Sequence, residues 1–173
     1  VYKRQPKYQL IDWEKKNELL ASGELDCVMG SFSMTGREDE YRWAGPYLAS
    51  RQVVAVDPQS DIYTLADLED KVVAVQSTTK PEDILLNRIN ENVPQIKELY
   101  CFSDRSYLNP ALVEGLVDAI AAHESSLLTY EKDYGVTYRI VDEPLLEVGL
   151  GTAFDINDTR GIDAVSYTHL RAH

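Results

Sequence analysis

With 173 residues the chain is long enough to bury a real core, as one domain or as two small lobes. Its formal net charge of −12 argues against nucleic acid and against an anionic membrane surface as partners. Two cysteines, Cys27 and Cys101, make no disulfide framework and lack metal-site spacing. Both read as buried free thiols, with a bond between them as the alternative.

In chain order, residues 8–11 form a predicted short strand. Residues 14–22 follow as a helix, with Leu19 and Leu20 on its apolar face and Gly23 as its stop. Trp13 stands at the helix entry, where it can act as a staple packed on the core. Asp26 leads into the apolar run Cys27-Val28-Met29-Gly30, a predicted buried strand. Its tip, residues 31–36, is rich in hydroxyls and small residues. Arg37 then heads the acidic residues 38–40, which read as helical, and Trp43-Ala44-Gly45-Pro46-Tyr47 closes the unit with a turn.

The pattern continues with a β-branched strand at residues 51–56, broken by residues 57–61. Thr64 to Asp67 has the form of a capping box. Residues 71–76 are a predicted buried strand. Ser77, Thr78 and Thr79 lie between it and a helix, with Thr79 and Glu82 spaced as a second capping box and Pro81 in the first turn. A strand follows at residues 96–102. Asn109-Pro110 opens another helix with Asn as its cap, and Leu112, Val113 and Leu116 as its apolar face. Residues 115–122 lead to His123-Glu124. A helix at 125–134 stops at Gly135, and strands follow at 138–141 and 146–154. The alternation of strands and helices predicts an α/β fold with mostly parallel sheets.

Two places suit an anion. Around Arg37, a planar two-donor guanidinium stands beside hydroxyls and backbone N–H groups, a donor set matched to a carboxylate. The plainer alternative is a surface pairing of Arg37 with Glu38 to Glu40. The second place is the turn at Ser77 to Thr79, where a helix N-terminus favours negative charge; the alternative there is an ordinary cap.

The stretch from Cys27 to Tyr47 resembles the signature of the family-3 extracellular solute-binding proteins, the polar amino-acid receptors of ABC importers. In that family a strand ends in a Ser/Thr-rich turn, an Arg follows, and six residues later comes an aromatic-x-x-Pro-aromatic segment. Arg37 and Trp43-Ala44-Gly45-Pro46-Tyr47 keep that spacing, although only Gly36 separates Thr35 from Arg37 where the family usually has two residues. Ser77-Thr78-Thr79 resembles the family's Gly-Thr-Thr turn, with Ser in place of Gly. Gly115-Leu116-Val117-Asp118-Ala119 resembles its Gly-x-x-Asp-Ala strand, and Asp118 reads as structural. His123 stands where the family usually presents an Asp to the ligand's ammonium; otherwise it is a solvent-facing helix-start residue.

The resemblance is collinear over residues 6–164. It implies a two-lobed periplasmic-binding-protein-like fold of type II, with residues 6–53 and 149–164 as lobe 1, residues 54–148 as lobe 2, and a ligand cleft between them that closes by a hinge. It also implies a role for each candidate residue. Arg37, Ser31 and Ser33 would hold a carboxylate from lobe 1, and Ser77, Thr78 and Thr79 would close on it from lobe 2. Trp13 would cover the aliphatic part, and His123 and Glu124 would face the amine. The implied function is capture of a small amino acid or related carboxylate for an ABC permease, outside the cell or in the periplasm. An extracellular sensor domain of a histidine kinase or diguanylate cyclase is the alternative. No nucleophile–base pair, metal site or cofactor motif is present, although His123-Glu124 in a cleft has acid–base chemistry.

No stretch is apolar enough to span a membrane, so contact with one would run through an anchor or partner. Residues 1–5 and 165–173 resemble translated adaptor read-through, so the chain reads as a fragment without its native ends. Those ends, with His169 and His173, are set aside.

Overall fold

Strand β1 (Arg42–Val56) is the axis of the molecule. The structure, a computed structural model, describes residues 6–159; the ends at 1–5 and 165–173 and the predicted last stretch of lobe 1, 160–164, lie outside them. The first part of β1 pairs antiparallel with β6 (Leu146–Phe154), from Arg42 opposite Phe154 to Gln52 opposite Leu146. Its last part is sunk in a sheet of order β3-β2-β4-β1-β5. There β1 lies antiparallel to β4 (Ala119–His123) and to β5 (Arg139–Ile140). Strand β2 (Val72–Gln76) runs parallel to both β4 and β3 (Glu98–Phe102).

The residues of β1 explain this placement. Gln52 to Val56 are fully buried, and the β-branched Val53, Val54 and Val56 suit a strand covered on both faces. Alternation sends Val53 and Ala55 to one face and Val54 and Val56 to the other. The first pair meets Leu112, Ile120 and Leu127; the second meets Leu65, Leu68, Val75 and Ile84. A third core stands apart from these. Phe32 is its centre, 1% exposed, with Leu20, Val28, Tyr41 and Ala153 around it. The rings of Trp13, Tyr41 and Trp43 each lie 5.2 Å from that of Phe32.

Among the described residues the α-helices are α1 (Lys16–Ala21), α2 (Lys80–Asn87), α3 (Leu108–Val113) and α4 (Glu124–Tyr134). Helix α4 stops at Gly135 in a left-handed conformation, as expected. The Asp67 carboxylate accepts from the Thr64 amide at 2.8 Å, the expected reciprocal cap. Asp118 is structural as expected, accepting from the Val72 amide at 2.7 Å.

Other expectations are corrected. Residues 8–11 form no strand, because no described strand offers them a ladder; Tyr8 and Leu10 are exposed. Residues 27–30 reduce to one bridge, Val28 with Ala153, and Met29 faces solvent. Residues 38–40 are a turn. The Thr79–Glu82 capping box is replaced: Thr78 adopts a left-handed backbone, φ 57°, and its amide donates to the Glu82 carboxylate at 2.7 Å. Asn109 is not a cap. Asp104 caps the preceding 3₁₀ turn (Arg105–Tyr107), and Asn109 sits buried in α3, accepting from the Tyr138 hydroxyl. The buried stripe of α3 is Leu108, Ala111 and Leu112, at helical spacing, which leaves Val113 and Leu116 exposed. Both cysteines are free, but Cys101 on edge strand β3 is exposed and Cys27 is only half-buried.

Candidate functional site

Arg37 is held by its backbone before its side chain does anything. Gly36 takes a φ of 73°, which only glycine adopts without strain, and the Arg37 amide then donates to the Met34 carbonyl at 2.8 Å. The Arg37 carbonyl accepts the indole N–H of Trp43 at 2.9 Å. The six-residue interval between Arg37 and Trp43 is therefore a structural one: the indole fixes the arginine backbone. The guanidinium carbon lies 5.4 Å from the centre of the Phe32 ring, and Nη2 donates to the Thr78 carbonyl at 3.4 Å.

That last contact joins the segment before β1 to the turn after β2. Between them lies a cavity of about 310 Å³, large enough for a small molecule. Arg37, Thr78 and Thr79 line it, together with Glu14, Lys16, Asn17, Gly36, Glu40, Tyr41 and Asp83. Lys80 reaches across from α2, with its ammonium against Gly36 and 2.7 Å from the Asp83 carboxylate.

Of the nine residues expected from the sequence, three line this cavity and six do not. Arg37, Thr78 and Thr79 line it. Trp13 packs edge-on against Phe32 beside it, with its indole N–H buried and without a partner among the described residues. Ser33 is buried, its hydroxyl likewise unpartnered. Ser31 is exposed, and its carbonyl faces the His123 imidazole. Ser77 gives its amide to the Phe102 carbonyl at 2.8 Å, and Thr79 gives its hydroxyl to the Gln76 carbonyl.

His123 ends β4 and lies opposite Gln52 of β1. Its Nε2 is 2.8 Å from the Gln52 amide nitrogen, and its Nδ1 is 3.5 Å from the Ser50 hydroxyl. Burial pushes its pKa down to about 4; the Ser31 carbonyl opposes the shift and the Arg37 charge adds to it. The imidazole is therefore neutral near pH 7. Glu124 turns the other way. Its carboxylate is gripped by both arms of the Arg51 guanidinium, with Nε to Oε2 at 2.9 Å.

The residues that sequence reasoning missed are Lys16 and Tyr41. Lys16 is 5% exposed; its ammonium donates to the Thr78 hydroxyl at 3.0 Å and lies 5.1 Å from the centre of the Trp13 ring. A legible clue exists: Trp13, Lys16 and Leu20 fall on one helical stripe, so a lysine interrupts an inward face. Tyr41 is buried and donates to Asn17.

A cavity that brings Arg37 and Lys16 together with three carboxylates, between the segment before β1 and the turn after β2 of an α/β fold, is a cleft-type ligand site. The chain belongs to the bacterial extracellular solute-binding proteins, family 3, whose family model matches residues 2–104. It is 26% identical over 170 residues to the glutamate-binding protein GluB of Corynebacterium glutamicum, covering 90% of this chain and 56% of that protein. The chain thus spans little more than half the length of that relative. Among solved structures it is similar to Tv2483 bound to L-arginine, with 29% identity, a TM-score of 0.80, and coverage of 94% of this chain and 65% of the other. It is also similar to the substrate binding protein of an amino acid ABC transporter, with 25% identity, a TM-score of 0.81, and coverage of 94% and 71%. Those neighbours have the expected two-lobed fold.

Proposed function

We propose that the chain is the ligand-binding part of an extracellular or periplasmic protein that captures an amino acid and hands it to an ABC permease. The observation that carries this reading is the Arg37 guanidinium, held over Phe32 and reaching Thr78 across the cavity. A fixed fork of donors at a cleft between two halves suits a carboxylate. Thr78 and Thr79 close on the same group from the far side. Trp13 covers the aliphatic part, and neutral His123 faces the amine. Ser31, Ser33 and Ser77 support the walls. Glu124 has a weaker claim than His123, since Arg51 occupies its carboxylate.

Family membership and the printed roles of the relatives support the transport assignment. The lobes are assigned as residues 6–53 with 149–164, and residues 54–148. The separate Phe32 core supports the first, and the two cores flanking the sheet support the second. Bound ligand is released unchanged rather than turned over.

The test is thermal shift of the chain against the common α-amino acids, alongside Arg37→Ala. A ligand that binds only the folded form raises the melting temperature. A rise lost in Arg37→Ala, with the ligand recovered intact, is the expected result. No rise with any amino acid in a folded chain overturns the reading.

A further inference from the structure

We propose that Lys16 reads a second carboxylate, so that the ligand is an acidic amino acid. This deepens the amino-acid reading and rests on it. Two cations converge on one residue: Arg37 meets the Thr78 carbonyl at 3.4 Å and Lys16 meets the Thr78 hydroxyl at 3.0 Å. Neither belongs to any ion pair found among the described residues. Lys16 also donates to the Trp13 carbonyl at 3.4 Å, so its partners are neutral oxygens only.

A buried ammonium without a counter-ion is costly to hold, and two adjacent cations repel one another. Burial and then the Arg37 charge push the Lys16 pKa below its ordinary value. The carboxylates of Glu40, Glu14 and Glu82 offset this only in part, and none of them contacts the ammonium as an ion pair among the described residues. Glu14 and Glu40 are exposed at its rim, and Asp83 is paired with Lys80. Glu82, the other nearby carboxylate, is taken by the Thr78 amide. A ligand with two carboxylates places one on Arg37 and one on Lys16. A ligand with a cationic side chain brings a third positive charge to the same wall, and a neutral amide side chain leaves Lys16 unpaired.

The geometry also assigns the aliphatic stem. Lys16 stands three residues after Trp13 on the same helical side, with its ammonium near the indole ring. A short methylene chain running from Arg37 toward Lys16 passes that ring. Lys16 is thus a specificity residue, and Arg37 the general anchor.

The test is calorimetric titration of the chain with L-glutamate, L-aspartate, L-glutamine and L-arginine, for the natural sequence, Lys16→Met and Lys16→Arg. Methionine keeps the apolar stem and removes the charge. The expected result is a preference for an acidic amino acid over L-glutamine of on the order of 30-fold or more, since an unpaired buried charge is heavily penalised. Lys16→Met abolishes that preference, the loss falling on the acidic ligands, and Lys16→Arg retains it. Tighter binding of L-glutamine or L-arginine, still dependent on Arg37, overturns the role of Lys16 and leaves the amino-acid reading intact. Equal losses for L-glutamate and L-glutamine in Lys16→Met also overturn it. Binding of none of the four by the folded chain removes both readings.

Discussion

Arg51 of β1 donates through Nε to Glu124 Oε2 at 2.9 Å, and its second arm meets Oε1. The first residue of α4 is thereby tied to the strand that crosses the molecule. The pair is partly exposed, which keeps its energetic weight small. Glu124→Gln is expected to lower the melting temperature slightly and to leave ligand affinity within about twofold. Calorimetric titration checks this. A loss of more than about tenfold would return Glu124 to the ligand as an amine contact.

Gly36 lines the cavity directly beside Lys80. A Cβ there would lie 2.8 Å from the Lys80 ammonium, on a backbone with φ of 73°. The left-handed conformation costs an alanine about 1 kcal/mol, and the clash displaces Lys80 from Asp83. Gly36→Ala should therefore destabilise the chain by about 1–2 kcal/mol in urea unfolding and weaken binding as well. An unchanged midpoint and affinity would mean that the turn relaxes freely.

Much of this fold was legible because the strongest segments carry their own periodicity. Residues 51–56 had to be a buried strand, and α4 had to stop at Gly135. The errors cluster where tertiary contacts decide. Nothing local says that Val28 makes only one bridge to Ala153, or that Thr78 rather than Thr79 turns its amide to Glu82. The cavity was half legible. Arg37 was marked by its spacing to Trp43, whose cause is the indole hydrogen bond. Lys16 was not, because a lysine in a short helix looks like a surface residue until Thr78 is folded onto it from 62 positions away.

Phe32 joins core and site. It is 1% exposed, touches three other aromatic rings, and carries the Arg37 guanidinium over its face. Phe32→Ala should cost about 3–5 kcal/mol in denaturant unfolding, the range for emptying a buried aromatic site. Phe32→Leu should cost less and still weaken the ligand, because the cation loses its ring. If Phe32→Leu binds with natural affinity, the ring does not position Arg37.

His123 gives the pH dependence. Its folded pKa is about 4, against about 6.5 for an unfolded histidine. As pH falls from 6.5 toward 4, the unfolded chain takes up the proton first, so unfolding is favoured. The stability from a neutral His123 is complete above pH 6.5, declines through that window and is lost below pH 4. The full difference is at most about 3 kcal/mol. Carboxylates titrate nearby, so His123→Gln is the needed comparison: its stability should fall less steeply between pH 7 and 5 than that of the natural chain. An imidazole carbon-proton resonance that stays at its neutral position at pH 5.5 checks the same point directly. A midpoint near 6.5 would show an imidazole open to solvent, and would remove the neutral ring assigned to face the ligand's amine.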